Sequence, residues 1–96
     1  MVNTLISICI PAYNRAEYLE PLLASVFAQN FSRMEVLICE DCSPQRPLIA
    51  DIARNFARRF PGQIKYIENE RNLGYDGNIR RLIHLSESPY CLFLGN

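Results

Sequence analysis

Seven segments of the chain have hydrophobic patterns typical of regular secondary structure, and strand patterns alternate with helix patterns. Short apolar runs rich in β-branched residues predict strands over residues 4–10, 34–39, 64–68 and 90–94. Apolar residues at helical spacing predict helices over about 15–29 and 47–60, and a short third helix around 79–83 that ends near Ser86. This alternation predicts the α/β class: a Rossmann-like three-layer α/β/α fold with a mostly parallel sheet of about four strands.

Residues with specific backbone preferences mark the boundaries of these elements. Pro11 has no N–H to donate, which predicts the end of the first strand. Asn14, with Glu17 three residues later, resembles a capping box and predicts the start of the first helix. Asn and Gly residues make 69–77 typical of a loop, so the third helix is expected after it. The third strand is more polar than the others and is expected at a sheet edge.

Length and charge narrow the range of functions. The 96 residues suffice for one domain, and a hydrophobic content of 49% excludes a disordered chain. Ten Lys and Arg balance ten Asp and Glu, so nucleic acid and anionic membranes are not expected as primary partners. The chain contains neither an apolar run of about 20 residues nor a signal-peptide pattern, which predicts a cytoplasmic location.

Polar residues follow the first two strands at the edge where parallel α/β sheets bind their ligands. Tyr13 offers a ring that could stack on a planar base, beside the N–H groups of a helix start. Glu40 and Asp41 are adjacent and point to opposite faces, and a carboxylate there can accept the imide N–H of uracil or thymine. The alternative interpretation is structural, with Tyr13 as a packing residue, Asn14 as a helix cap and the carboxylates as a solvated strand end.

Two further motifs suggest other chemistries. Cys39 and Cys42 form a CxxC, the spacing of thiol–disulfide enzymes and of half a zinc site. Cys39 ends a predicted strand instead of opening a helix, and the chain lacks a suitable second pair of ligands, so reduced thiols are expected. The segment 72–78 could contact a sugar or phosphate through its Gly, Asn and Asp residues, but it lacks both GxGxxG and the Lys of a phosphate-binding loop.

Together these segments resemble the N-terminal part of a family 2 glycosyltransferase with the GT-A fold. Residues 7–14 resemble the family's opening strand with its Pro-x-Tyr-Asn turn, and 35–43 resemble the strand that closes on Asp-Asp-x-Ser. Asn72-Leu73-Gly74 with Asn78 resembles the Asn-x-Gly loop ahead of the third helix, and 90–94 resemble the strand that leads to a metal-binding Asp-x-Asp. The resemblance implies that residues 1–96 are the nucleotide-sugar-binding half of a GT-A domain.

The resemblance also implies a donor site. Tyr13 would stack on the base, Asp41 would accept the base imide, and Glu40 stands at the family's first acidic position with its role open. The donor would be a nucleotide-diphosphate sugar, UDP or dTDP favoured, and the acceptor a glycan or lipid-linked sugar. The implied substrate-binding residues are Pro11, Ala12, Tyr13, Asn14, Glu40, Asp41, Asn72, Gly74 and Asn78.

The family's metal-binding aspartates would follow Asn96, so Mg²⁺ or Mn²⁺ is expected only in the full-length enzyme, with no metal ligand or catalytic residue in this chain. These 96 residues are therefore expected to be inactive alone, and the full-length protein could be peripheral at the inner face of the membrane. An exposed apolar fourth strand predicts self-association through a sheet edge. Two alternatives stay open: a non-catalytic flavodoxin-like nucleotide-binding module and a CxxC redox protein.

Overall fold

The computed structural model describes residues 4–95, in which four strands alternate with three helices. Asn96, part of the predicted final turn, lies outside the described residues. None of the helices between residues 4 and 95 has the length and apolar character needed to cross a membrane. The elements are β1 (Ile6–Ala12), α1 (Ala16–Ala28), β2 (Met34–Glu40), α2 (Arg46–Arg59), β3 (Ile64–Glu68), α3 (Gly74–Leu85) and β4 (Tyr90–Phe93).

The strands form one sheet in the order β3-β2-β1-β4, and every pair is parallel. β1 and β2 are matched over their full length, from Ile6 opposite Met34 to Ala12 opposite Glu40. Because the strands are parallel, all four carboxyl ends lie at one edge of the sheet. The predicted site residues come after the strands, at this edge. The predicted α/β class and the edge position of β3 are confirmed.

The two faces of the sheet are covered unequally. Val36 and Ile38 face α1 and α2, where Phe27 of α1 and Phe60 stack with their ring centroids 4.1 Å apart. Leu37 and Cys39 point to the opposite face, since side chains alternate along a strand. There they meet α3 in a smaller apolar cluster that also contains Cys9 and Leu82. Helices therefore cover both faces, as the three-layer prediction requires.

β1 does not end before Pro11, so the predicted boundary at residue 10 is wrong. The carbonyl of Cys9 accepts a hydrogen bond from Leu94, whereas that of Ala12 accepts one from Asp41. Backbone groups of successive residues point to opposite neighbouring strands, so Pro11, two residues after Cys9, faces the β4 side as Cys9 does. Because β4 pairs with β1 only as far as Cys9, the missing N–H of Pro11 breaks no ladder bond.

Two predicted helix starts also differ from the structure. Asn14 does not form a capping box: it and Arg15 both have positive φ, of 54° and 60°, whereas a capping residue needs an extended backbone. α3 begins at Gly74 instead of after Gly77. Its early start has a cause distant in sequence, because the N–H of Leu73 donates to the Asp41 carboxylate across 2.7 Å.

Candidate functional site

A cavity of about 380 Å³ opens at the carboxyl ends of β1 and β2, against the start of α3. It collects all of the residues predicted from the sequence except Asn14 and Glu40, and adds Tyr75. Its lining is therefore contributed by three connections that are distant in sequence: β1–α1, β2–α2 and the segment before and at the start of α3. The lining residues are Pro11, Ala12, Tyr13, Asp41, Asn72, Gly74, Tyr75 and Asn78.

Asp41 is the anionic group of the cavity and is held firmly in place. Its backbone N–H donates to the carbonyl of Ala12 across 2.9 Å, which extends the β1–β2 pairing by one residue. Its Oδ1 accepts the N–H of Leu73 at 2.7 Å and the side-chain amide of Asn69 at 2.9 Å. Within the described residues both of these bonds end on Oδ1, so Oδ2 keeps the capacity to accept a donor from a ligand.

Asn69 was not singled out from the sequence, yet it organises this region. It is buried, and its side-chain amide donates to Asp41 and to Oδ1 of Asn78, both at 2.9 Å. Its backbone N–H donates to the carbonyl of Glu40 and its own carbonyl accepts from Arg46. The available signal was its position directly after β3, at the same edge of the sheet as Tyr13 and Asp41.

Asn72 and Asn78 shape the wall of the cavity through bonds to the backbone. Asn78 is buried and donates to the carbonyl of Cys39 at 2.9 Å, which ties α3 to β2. Asn72 donates to the carbonyl of Asp41 at 3.1 Å and accepts the N–H of Gly74 at 3.0 Å. Gly74 has a φ of 79° with nothing near the position of a side chain, so glycine is required there by its backbone conformation.

Two aromatic rings border the opening. Tyr13 is 48% exposed and Tyr75 is 70% exposed, so neither ring is buried in the hydrophobic core. A phenol ring that faces a cavity with one side uncovered can stack on a planar ligand. Tyr75 follows Gly74 at the start of α3, and sequence reasoning missed it because it treated that segment as a polar loop.

Glu40 lies on the opposite face of the sheet from the cavity. Its side chain is fully buried and accepts the N–H groups of Cys42 and Ser43 at 2.9 and 2.8 Å. Its Oε1 also pairs with Nε of Arg46 at 2.6 Å. Burial opposes ionisation, but these hydrogen bonds from Ser43 and Arg46 outweigh it and lower the pKa of Glu40. Glu40 therefore holds the start of α2 and does not line the cavity.

Asn14 also points away from the cavity. Its Oδ1 accepts the backbone N–H of Gln45 at 3.2 Å, which joins the β1–α1 turn to the start of α2. The predicted site residues therefore fall into two groups: those that line the cavity, and Asn14 and Glu40, which support the connections around it.

A larger cavity of about 720 Å³ lies at the amino ends of the strands, beside Glu35, Lys65 and Glu87. It contains none of the predicted site residues. In sheets of this class ligands bind at the carboxyl edge, so the smaller cavity is the better candidate.

Comparison with known proteins identifies the family. Residues 7–96 match the glycosyl transferase family 2. The chain belongs to this family. The resemblance inferred from the sequence motifs, to a glycosyltransferase of family 2, is confirmed.

Individual relatives agree with the family assignment. The chain is 34% identical over 92 residues to the abequosyltransferase RfbV of Salmonella typhimurium, a match that covers 96% of the chain and 28% of RfbV. TarS 1-349 of S. aureus has the same fold over 96% of the chain and 27% of its own length, with a TM-score of 0.83 and 25% identity. Its complex with UDP-GlcNAc gives 28% identity and a TM-score of 0.73, over 96% of this chain and 26% of TarS 1-349.

A third solved relative shares the fold alone. The mannosyltransferase PcManGT from Pyrobaculum calidifontis, solved with GDP-Man and Mn²⁺, is 19% identical with a TM-score of 0.71 over 90% of this chain and 26% of its own. The chain therefore spans less than a third of the length of each of these relatives.

Between residues 4 and 95 of this family 2 chain, the side chains are not arranged to hold a metal ion. Residues 4–95 contain no group of three or more His, Cys, Asp or Glu side chains that could hold one. Asp41 and Glu40 are adjacent in sequence but belong to opposite faces of the sheet, and Glu40 is already bound to Arg46. A Mg²⁺ or Mn²⁺ ion in the whole enzyme stays a prediction, with ligands outside these residues.

The CxxC of this family 2 chain lacks the features of a reactive dithiol. Cys39 is buried within β2, and burial raises the pKa of its thiol. Cys42 is exposed, with a φ of 60° in the turn before α2. A raised thiol pKa disfavours the thiolate, so the redox alternative is not favoured.

Proposed function

We propose that this chain binds the nucleotide of a nucleotide-diphosphate-sugar donor, with UDP or dTDP favoured, as the donor-binding part of a family 2 glycosyltransferase. The observation that carries the proposal is the convergence of Tyr13 and Asp41 on one cavity. The relative TarS, solved with UDP-GlcNAc, supports a uridine donor. The whole protein would transfer the sugar to a glycan or lipid-linked acceptor.

In this proposal the base is recognised both on one face of its ring and at its edge. The ring of Tyr13 stacks on one face of the base, while Oδ2 of Asp41 accepts the imide N–H at its edge. Uracil and thymine carry a donor at that ring position, whereas cytosine carries an acceptor that would face the carboxylate. A carboxylate opposite an acceptor leaves both groups without a partner, which costs binding energy.

Pro11 and Ala12 form the floor below the base and ribose in this proposal. Asn72, Gly74 and Asn78 form the opposite wall, where the glycine allows a close approach of the ligand to the backbone. Glu40 and Asn14 do not contact the donor in this proposal. They support the β2–α2 and β1–α1 connections, whose residues do contact it.

The test is calorimetric titration of the full gene product with UDP and CDP, in the wild type and in Asp41→Asn. UDP is expected to bind about tenfold more tightly than CDP, because the wrong base leaves a buried group unpaired. Asp41→Asn keeps Oδ1 for Leu73 and Asn69 but replaces the acceptor at Oδ2 with an amide donor. This variant is expected to lose most of the preference for UDP.

Asp51→Asn is the matched control, since Asp51 is an exposed residue on α2. It removes the same charge and is expected to leave both affinities unchanged. Equal binding of UDP and CDP by the wild type, or an unchanged preference in Asp41→Asn, would show that Asp41 does not read the base.

A further inference from the structure

The connections that lead into α1 and α2 are joined to each other by side-chain hydrogen bonds. Their own N-cap residues, Arg15 and Gln45, make no side-chain capping bond to the helix they begin. Instead Oε1 of Gln45 accepts the N–H of Ala16, the first residue of α1, at 2.8 Å. In return Oδ1 of Asn14 accepts the N–H of Gln45 at 3.2 Å. The two bonds join connections that are about thirty residues apart in the sequence.

Tyr13 is fixed from both sides by this arrangement. On one side, the carbonyl of Ala12 accepts the backbone N–H of Asp41 at 2.9 Å. On the other side, the side chain of Asn14 accepts the N–H of Gln45, and the side chain of Gln45 accepts the N–H of Ala16. The backbone of Tyr13 is therefore attached before and after itself to the β2–α2 connection, which is the segment that carries Asp41.

The backbone between these attachments has an unusual conformation. Asn14 and Arg15 have φ of 54° and 60°, and Cys42 in the facing connection also has a φ of 60°. Two consecutive residues other than glycine rarely adopt the left-handed region unless their surroundings hold them there. The bonds between Asn14, Gln45 and Ala16 provide that constraint.

We infer that Asn14 and Gln45 are a positioning pair that holds Tyr13 and Asp41 at their binding separation before the nucleotide arrives. This inference rests on the proposed function of the cavity. Loss of the pair would let the β1–α1 turn populate other conformations. Apparent affinity falls in proportion to the binding-competent fraction, so the nucleotide would bind more weakly although its contacts are unchanged.

The variant that tests the inference is Gln45→Met, which keeps the side-chain length and removes the acceptor for Ala16. Its affinity for UDP is expected to fall about fivefold, the equivalent of one lost hydrogen bond. Gln45→Glu retains an acceptor oxygen at the same reach and is expected to restore most of the affinity. Rescue of this kind distinguishes a defined bond from general loosening of the structure.

Gln63→Met is the matched control. Gln63 donates to the carbonyl of Phe31 at 3.4 Å, at the opposite edge of the sheet. The substitution is the same and also removes a side-chain hydrogen bond, but it touches neither the cavity nor its supports. UDP affinity is expected to stay at the wild-type value.

Titration of the full gene product with UDP and dTDP separates the possible failures. A wild type that binds neither UDP nor dTDP overturns the proposed function and the positioning role with it. If the wild type binds UDP and Gln45→Met binds it with the same affinity, the positioning role alone is overturned. Equal loss of UDP affinity in Gln45→Met and Gln45→Glu also overturns it.

A second measurement needs no variant. Amide hydrogen exchange of the ligand-free wild type is expected to show protection at both Ala16 and Gln45, because their N–H groups donate to side chains before the nucleotide binds. Exchange of these two amides at the unprotected rate would overturn the inference, including in the case where Gln45→Met does not fold.

Discussion

Glu40 supports the candidate site without lining it, and its protonation is coupled to folding. Its pKa lies below the ordinary carboxyl value, so the folded state gains stability from the ionised form above that ordinary value and loses it as the pH falls. Glu40→Gln is expected to destabilise the protein by about 2 kcal/mol at pH 7, because the charged bonds to Arg46 and Ser43 are weakened. The difference in stability between the two proteins should narrow as the pH falls from 7 to below the ordinary carboxyl pKa, because wild-type Glu40 then takes up a proton.

The measurement is urea denaturation of both proteins across that pH range. Glu20→Gln is the control, since Glu20 is an exposed carboxylate on α1. The free energy of unfolding of Glu20→Gln is expected to equal that of the wild type at every pH. A difference between wild type and Glu40→Gln that is independent of pH would contradict the assignment of a lowered pKa.

Glu40 and Asp41 also show how far single residues can be read from a sequence. Alternation along a strand correctly predicts that their side chains point to opposite faces. It does not say which face carries the cavity, because that depends on where α3 begins. α3 begins early because Asp41 accepts the N–H of Leu73, a contact between residues 32 positions apart. A bond at that separation leaves no local pattern in the sequence.

At the scale of elements, hydrophobic periodicity predicts the strands and helices well. The predicted third strand, 64–68, coincides with β3, and the predicted bounds of α1 and α2 differ from the observed ones by one residue at each end. The errors that bear on the site fall at Pro11, Asn14 and the start of α3, and β1 also begins two residues later than predicted, at Ile6. In each of the first three cases the tertiary surroundings decide the backbone conformation. Within residues 4–95 no strand pairs with Pro11 on the β4 side, whereas Asn14 is bonded to Gln45 and Leu73 to Asp41.

α3 is the element whose attachment to the sheet depends most on one side chain. Leu82 is its fully buried apolar residue, in the small cluster with Leu37 and Cys39. Leu82→Ala is expected to lower the free energy of unfolding by about 3 kcal/mol, since a deleted core side chain loses its burial and leaves a cavity. Denaturation in urea measures the loss.

Ile83 provides the control on the same helix. It is 53% exposed, so Ile83→Ala removes apolar atoms from the next position without opening the core. Its effect on the free energy of unfolding is expected to be within about 0.5 kcal/mol. Similar losses in the two variants would mean that α3 does not pack on the sheet through Leu82.

At the scale of the whole molecule, the two edges of the sheet differ in chemistry. β3 forms a polar edge that includes Lys65 and Glu68, as in strands that resist pairing with another chain. β4 forms an apolar edge: Tyr90, Leu92 and Phe93 are all exposed, and within residues 4–95 β1 is the strand that pairs with it. Leu92 also borders an apolar cavity of about 320 Å³ beside Ile8 and Val26.

We predict that the 96-residue polypeptide self-associates through the β4 edge. Leu92→Lys places a charge on this edge and is expected to raise the dissociation constant for self-association at least about tenfold, because burying one Leu side chain contributes about 1.5 to 3 kcal/mol. Sedimentation velocity over micromolar concentrations measures the change. Leu48→Lys is the control, since Leu48 is 57% exposed on α2, a helix that packs against β2 and β3. A wild type that stays monomeric throughout, or equal effects of the two substitutions, would exclude pairing at β4.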